Sequence, residues 1–318
     1  GRRMLNLDNE EEGVLLTSCA GGARVHGRLA ASCEKISGTR LEISFEGLKG
    51  GHSGAEIDKD RANANALLGR MMRFLPKEAD ARFLFLEGGS ADNAIPSASR
   101  AVLVMKTETV SAVREALAKL EETLRREYAS TDSGLHIQIG GEENGEWEAF
   151  SRESTEKVTS ILYLCPNGIQ RMSADISGLV QTSLNLGILR TENGCVNFDY
   201  SVRSSVGSEK DMIIDKVCLL LSSQGVDVTV SGEYPAWEYR KDSALREKMI
   251  RVYEKMFKTA PRVEAIHAGL ECGILASKLP GLDCVSIGPD MKDIHTPRER
   301  LSISSTERVW NYILEILK

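Results

Sequence analysis

The residues able to do chemistry together in this chain are His52, His295, Asp8, Asn93, Arg203 and Glu271. His52 stands in Gly47-Leu48-Lys49-Gly50-Gly51-His52-Ser53-Gly54, where glycines surround one lysine and one histidine. A phosphate-binding loop needs its lysine after the glycines, and here Lys49 precedes the glycine pair. Glycine lets backbone approach a ligand closely. The stretch therefore reads as a flexible loop presenting a functional imidazole, with a buried core histidine as the competing reading.

His295, in Ile287-Gly288-Pro289-Asp290-Met291-Lys292-Asp293-Ile294-His295-Thr296-Pro297, follows a predicted strand of an open α/β sheet, at the carboxyl edge where such sheets gather ligands. Asp8 ends the short apolar run Met4-Leu5-Asn6-Leu7. Imidazole and carboxylate at strand ends are ligand types of catalytic zinc, which keeps one position open for water. Two ligands are too few to hold a metal, and the sequence has no HExxH or HxH to complete the set. Arg203 and Asn93, at a strand end and in a turn, suit a carboxylate, which an arginine fork binds bidentately and an asparagine amide can also reach. His267 and Glu271 in Ala265-Ile266-His267-Ala268-Gly269-Leu270-Glu271 form a further cluster that the residue types alone leave open.

The elements that must position these groups fall into two patterns. Strands are expected over 4–8, 13–17, 23–31 and 39–47, the last with Leu41, Ile43 and Phe45 alternating to one side, and a helix over 58–74. Strand pairs at 81–87 with 99–107 and at 180–189 with 195–203, a strand at 135–140, and helices at 111–128, 151–164 and 209–222 predict an α+β region with helices on one face of a mainly antiparallel sheet. From 226 onward strands at 226–230, 262–266 and 283–287 alternate with helices at 243–257, 270–277 and 304–317, which reads as parallel α/β. The expected organisation is thus α/β: a partial parallel-sheet catalytic domain made of 1–19 and 224–318, with an inserted α+β lid over 20–223.

At 318 residues the chain has room for two domains. Its net charge of −6 is spread without a basic stripe, which argues against nucleic acid. No apolar run approaches a membrane span, and the first residues lack the apolar core of a signal peptide, so a cytoplasmic protein is expected. Seven scattered cysteines without CxxC spacing read as reduced, mostly buried thiols.

In order along the whole chain, Leu5-Asn6-Leu7-Asp8, the His52 loop, Arg61-Ala62-Asn63-Ala64-Asn65, Asp92-Asn93-Ala94-Ile95-Pro96, Val202-Arg203-Ser204-Ser205, the His267–Glu271 segment and the stretch around His295 closely resemble the bacterial aminoacyl-histidine dipeptidases. These are members of a di-zinc peptidase family that includes peptidase T. The resemblance implies a metallopeptidase that hydrolyses Xaa-His dipeptides with two divalent metal ions, zinc or alternatively manganese or cobalt. It implies Asp8 and His295 as metal ligands, His52 on the lid stabilising the oxyanion, and Asn93 and Arg203, with Glu271 counted beside them, holding substrate. It also implies a homodimer formed through the lid. In that family the general base and further ligands precede the Asp8 strand, so the chain is expected to be a C-terminal part of such an enzyme, probed alone as inactive. A related aminoacylase, deacetylase or tripeptidase, or a non-catalytic dimerisation or binding module, are the competing expectations.

Overall fold

A computed structural model describes residues 1–294 and 296–318. The smaller of its two main sheets has four strands in the order Arg3–Asn6, Asp283–Ser286, Val14–Cys19, Arg262–Ile266. Val14–Cys19 is buried along its whole length because both faces are covered. Leu15 points to a cluster with Leu245, Met249, Val285 and Tyr312, beneath the helices Ala244–Phe257 and Ile303–Leu317. Val14 and Leu16 point the other way, to Cys19, Trp237, Cys272 and Cys284 beside the helix Glu271–Lys278. A strand packed on both faces shows no in-out alternation, and here the apolar run Val14-Leu15-Leu16 is followed by buried Thr17 and Ser18.

The expected sheet is parallel except at one junction. Arg3–Asn6 runs parallel to Asp283–Ser286, and Arg262–Ile266 parallel to Val14–Cys19, but Val14–Cys19 meets Asp283–Ser286 antiparallel. The cause is connection length. Only a short loop joins Arg3–Asn6 to Val14–Cys19, whereas a parallel return needs a crossover of a dozen residues or more.

The larger sheet runs Asp227–Tyr234, Gly21–Ala30, Cys195–Ser204, Val180–Glu192, Arg82–Gly88, Ser99–Met105, Cys33–Glu46, His136–Phe150, with Gly168–Met172 pairing beside Val180–Glu192. Leu41, Ile43 and Phe45 are fully buried on one face, as their alternation predicts. The strand expected near 226 belongs here and not to the parallel sheet: Asp227–Tyr234 lies antiparallel to Gly21–Ala30. Its register carries the chain back along the lid before it crosses at Pro235.

The order of strands shows two halves of one design. In the first, Arg82–Gly88, Ser99–Met105, Cys33–Glu46 and His136–Phe150 lie side by side, with helices Ala64–Phe74 and Val110–Glu127. In the second, Val180–Glu192, Cys195–Ser204, Gly21–Ala30 and Asp227–Tyr234 repeat that order, with helices Arg152–Leu164 and Gly207–Ser223. The first half is inserted in the second after its strand Gly21–Ala30. The halves join where Leu189 pairs with Gly88 and Arg190 with Glu87. Above that seam helices Ala64–Phe74 and Arg152–Leu164 touch so closely that a Cβ on Gly69 would stand 2.6 Å from the Leu162 backbone. One apolar cluster runs through both halves, from Leu68 and Met71 to Ile161, Phe198 and Leu221.

The helix expected over 58–74 is broken. Ile57–Lys59 is a 3-10 turn, Asp60 is left-handed at φ 52°, and the helix proper starts after Asn63, whose side chain accepts from the Ala66 N–H at 3.1 Å. An asparagine cap satisfies an orphan helix donor and fixes the start.

Candidate functional site

The His52 loop is pinned, which corrects the expectation of a flexible loop. The buried Asp132 carboxylate accepts from the Lys49 N–H at 2.8 Å and the Ala62 N–H at 2.9 Å, tying both ends of the segment together. His52 and Gly51 pair antiparallel with Ala94 and Ile95. The Ser53 N–H donates to the Asn93 carbonyl at 2.8 Å, and the His52 N–H to Glu56 at 2.9 Å. The glycines therefore serve geometry: Gly47 and Gly50, at φ 76° and 62°, adopt backbone that other residues rarely take.

The His52 imidazole has a defined tautomer. Its Nδ1 accepts from the N–H groups of Gly54 and Ala55 at 3.1 and 3.0 Å, which leaves Nε2 as the carrier of the proton when the ring is neutral. Burial, and then the Arg203 charge, hold its pKa below the ordinary histidine value, outweighing Glu56. A neutral ring with an outward N–H is a hydrogen-bond donor without charge.

Gly54 is the meeting point. A Cβ there would lie 2.9 Å from the His52 ring, 3.2 Å from the Arg203 guanidinium and 2.9 Å from the His267 carbonyl. Three chain segments thus close on one missing methyl: the inserted half, the strand Cys195–Ser204 and the loop after Arg262–Ile266. Arg203 donates to the Tyr234 hydroxyl at 3.2 Å, while its buried Nε has no partner among the described residues. The buried Ser53 hydroxyl, next to His52, also lacks one among the described residues. Unsatisfied polar groups at one point are costly unless a ligand completes them.

His267 is buried and hydrogen-bonds through Nε2 to the Ser183 hydroxyl at 2.7 Å, joining the smaller sheet's loop to the lid. Burial, and then Arg203, lower its pKa to about 4, so it is neutral near pH 7. Beside it lies a cleft of about 480 Å³ lined by Gly54, Ala55, Val180, Ile266 and His267. Asn93 joins this group through its backbone, and its side chain is exposed.

The same loop continues to Glu271 at the start of helix Glu271–Lys278. Its own backbone N–H at that helix start holds the carboxyl below the usual carboxylate range, helped by Asn6 and by Asp8, whose carboxyl is within hydrogen-bonding reach. Asn6, Asp8 and Glu271 therefore form an oxygen-rich edge at the ends of adjacent elements. Two facing carboxyls at an exposed edge fit a divalent cation as a third party, since carboxylate oxygen is a donor such ions accept. Among the described residues no group of three His, Cys, Asp or Glu is placed to hold a metal ion, and His295, the other expected ligand, lies outside the described residues.

Sequence reading missed Asn6, Ser183, Tyr234 and Asp132. Each acts through partners far along the chain, and only Asn6, a polar residue ending an apolar strand beside Asp8, carried a local signal.

The fold is α/β: a four-stranded, mostly parallel sheet with a larger, mainly antiparallel sheet between its segments. Residues 43–132 match the family model described as the peptidase dimerisation domain, which covers most of the first lid half. The chain is 32% identical over 99% of its length to the cytosol non-specific dipeptidase of Escherichia coli (strain K12), covering 65% of that relative. The solved structure of aminoacylhistidine dipeptidase from Vibrio alginolyticus superposes with a TM-score of 0.95 at 31% identity, with all of this chain matched to 65% of that one. The chain is thus similar to these two dipeptidases over 99–100% of its own length, and it spans 65% of theirs.

Proposed function

We propose that this chain forms the lid and the adjoining catalytic half of a cytoplasmic, metal-dependent dipeptidase acting on Xaa-His dipeptides. The observation that carries the reading is the convergence at Gly54 of a neutral Nε2–H donor, His52, with an arginine whose buried Nε has no partner among the described residues.

Arg203 binds the dipeptide's terminal carboxylate, satisfying its open nitrogen, and Asn93 closes on the same group. That fixes the peptide carbonyl relative to His52, which donates from Nε2 as negative charge develops on the oxygen. A preorganised donor of this kind stabilises the transition state more than the ground state. Asp8 and His295 would be ligands of a metal pair, taken to be zinc, and the bound metal would supply polarisation of the carbonyl and an activated water. The remaining ligands and the general base come from residues outside this sequence. Glu271 lies beside Asp8 and is counted among the residues that hold the substrate. The peptidase dimerisation match supports a homodimer through the lid.

Two preparations test the reading: the 318-residue chain alone, and the same chain joined to the N-terminal part of a relative. The joined protein is expected to bind two metal ions and hydrolyse Xaa-His dipeptides, and the chain alone to do neither. Hydrolysis of N-acyl amino acids or tripeptides in preference to dipeptides would overturn the substrate assignment.

A further inference from the structure

Asn6 is buried at the carboxyl end of its strand, and its amide makes hydrogen bonds to three separate segments. Oδ1 accepts from the Ser286 hydroxyl at 2.5 Å and from the Asp8 N–H at 3.1 Å. Nδ2 donates to Glu271 Oε1 at 2.6 Å. These partners decide the amide's orientation, since a hydroxyl and an N–H must meet the oxygen and a carboxylate must meet the nitrogen.

The strands set this up. Asn6 and Ser286 are register partners in parallel strands, so their side chains leave the sheet on the same face, and the Ile287 N–H donates to the Asn6 carbonyl at 2.9 Å just beyond. Glu271 begins the helix lying on that face. The amide thus stands where two strand ends and a helix start converge.

We infer that Asn6 is a positioning residue: its amide sets the turn that carries Asp8 and fixes the Glu271 carboxylate beside it, holding the two carboxyls in the arrangement the metal and substrate need. The inference rests on the function proposed above and extends it to a residue that touches neither metal nor substrate. No other side chain of this size does the same work. Aspartate keeps the double acceptor but turns an oxygen toward Glu271, and leucine keeps the volume but leaves Ser286, the Asp8 N–H and Glu271 unpaired. Outer partners of this kind set ligand orientation, and their loss costs roughly 10- to 100-fold in metal affinity.

The test uses the full-length enzyme and zinc competed against a chromogenic chelator, with melting temperature of the metal-free protein measured in parallel. Asn6→Asp is expected to weaken zinc roughly 10- to 100-fold while the metal-free melting temperature stays within a few degrees of wild type. Ser286→Ala, which removes one donor to Oδ1 and leaves the Glu271 contact, is expected to shift affinity in the same direction by less, and it supplies the reading if Asn6→Asp does not fold. Wild-type zinc affinity in the variant that folds would overturn the inference while leaving the proposed function intact. A metal-free melting temperature that falls in step with affinity would also overturn it, by showing a general structural role. A wild-type enzyme that takes up no metal would overturn both.

Discussion

His52 can act as a donor only because its other nitrogen is already engaged. With Nδ1 held by the Gly54 and Ala55 N–H groups, protonating the ring would set a positive charge against two donors and beside Arg203. His52→Ala in the full enzyme is therefore expected to lower kcat by roughly 100- to 1,000-fold with little change in KM, checked by steady-state hydrolysis of an Xaa-His dipeptide. A second residue-scale prediction concerns stability. His267 titrates at about 4 when folded, below its ordinary value, so the unfolded chain takes up its proton first as pH falls. Stability should thus be lost between about pH 6.5 and pH 4, by at most about 3 kcal/mol. His267→Asn should flatten that part of the curve in chemical denaturation at several pH values; an unchanged slope would contradict the assignment. The sequence made His52 legible because glycines crowd it, and Arg203 because it ends a strand. It hid what pins them, since Asp132 and Tyr234 act across 70 or more and 31 residues.

At the scale of elements, most strands and helices follow from local pattern, whereas their pairing does not. Leu41, Ile43 and Phe45 announce a half-buried strand, but nothing in them says that Cys33–Glu46 neighbours His136–Phe150 or that Gly21–Ala30 belongs to the other lid half. Strand neighbours are chosen by matching whole faces, which is a property of distant segments. Broken patterns mislead in the same way: the helical composition of 58–74 conceals the left-handed Asp60 that ends its first turn. The seam offers a measurement with an inverted sign. Replacing a glycine within a helix by alanine ordinarily stabilises by about 1 kcal/mol. At Gly69 the added methyl would meet the Leu162 backbone at 2.6 Å, where no flexible side chain can yield. Gly69→Ala is expected to destabilise by about 1–3 kcal/mol, read as a lower denaturation midpoint. A gain in stability would show that the helices do not press together there.

The whole molecule places its two lid halves in one chain, and this bears on how many chains a site needs. His52 comes from the inserted half and Arg203 from the half that encloses it, yet both touch the space at Gly54 of a single chain. The seam edge of Arg82–Gly88, by which such a half could pair with another copy, is already occupied by Val180–Glu192. Among the described residues the outer strands Asp227–Tyr234 and His136–Phe150 end the main path of the larger sheet and would be open to pairing in a homodimer. Dimerisation there would leave the Gly54 contact unchanged. It follows that His52 should serve the site of its own chain whether or not the protein is a dimer. Co-expressing His52→Ala and Arg203→Ala full-length enzymes distinguishes the two arrangements. If His52 crossed to a partner, random pairing would rebuild one intact site in each mixed dimer and restore about a quarter of wild-type turnover. If it acts within its chain, every site lacks one residue and the mixture stays at the level of the weaker variants. Recovery toward a quarter would mean that the Gly54 convergence is not the arrangement in which substrate is cleaved.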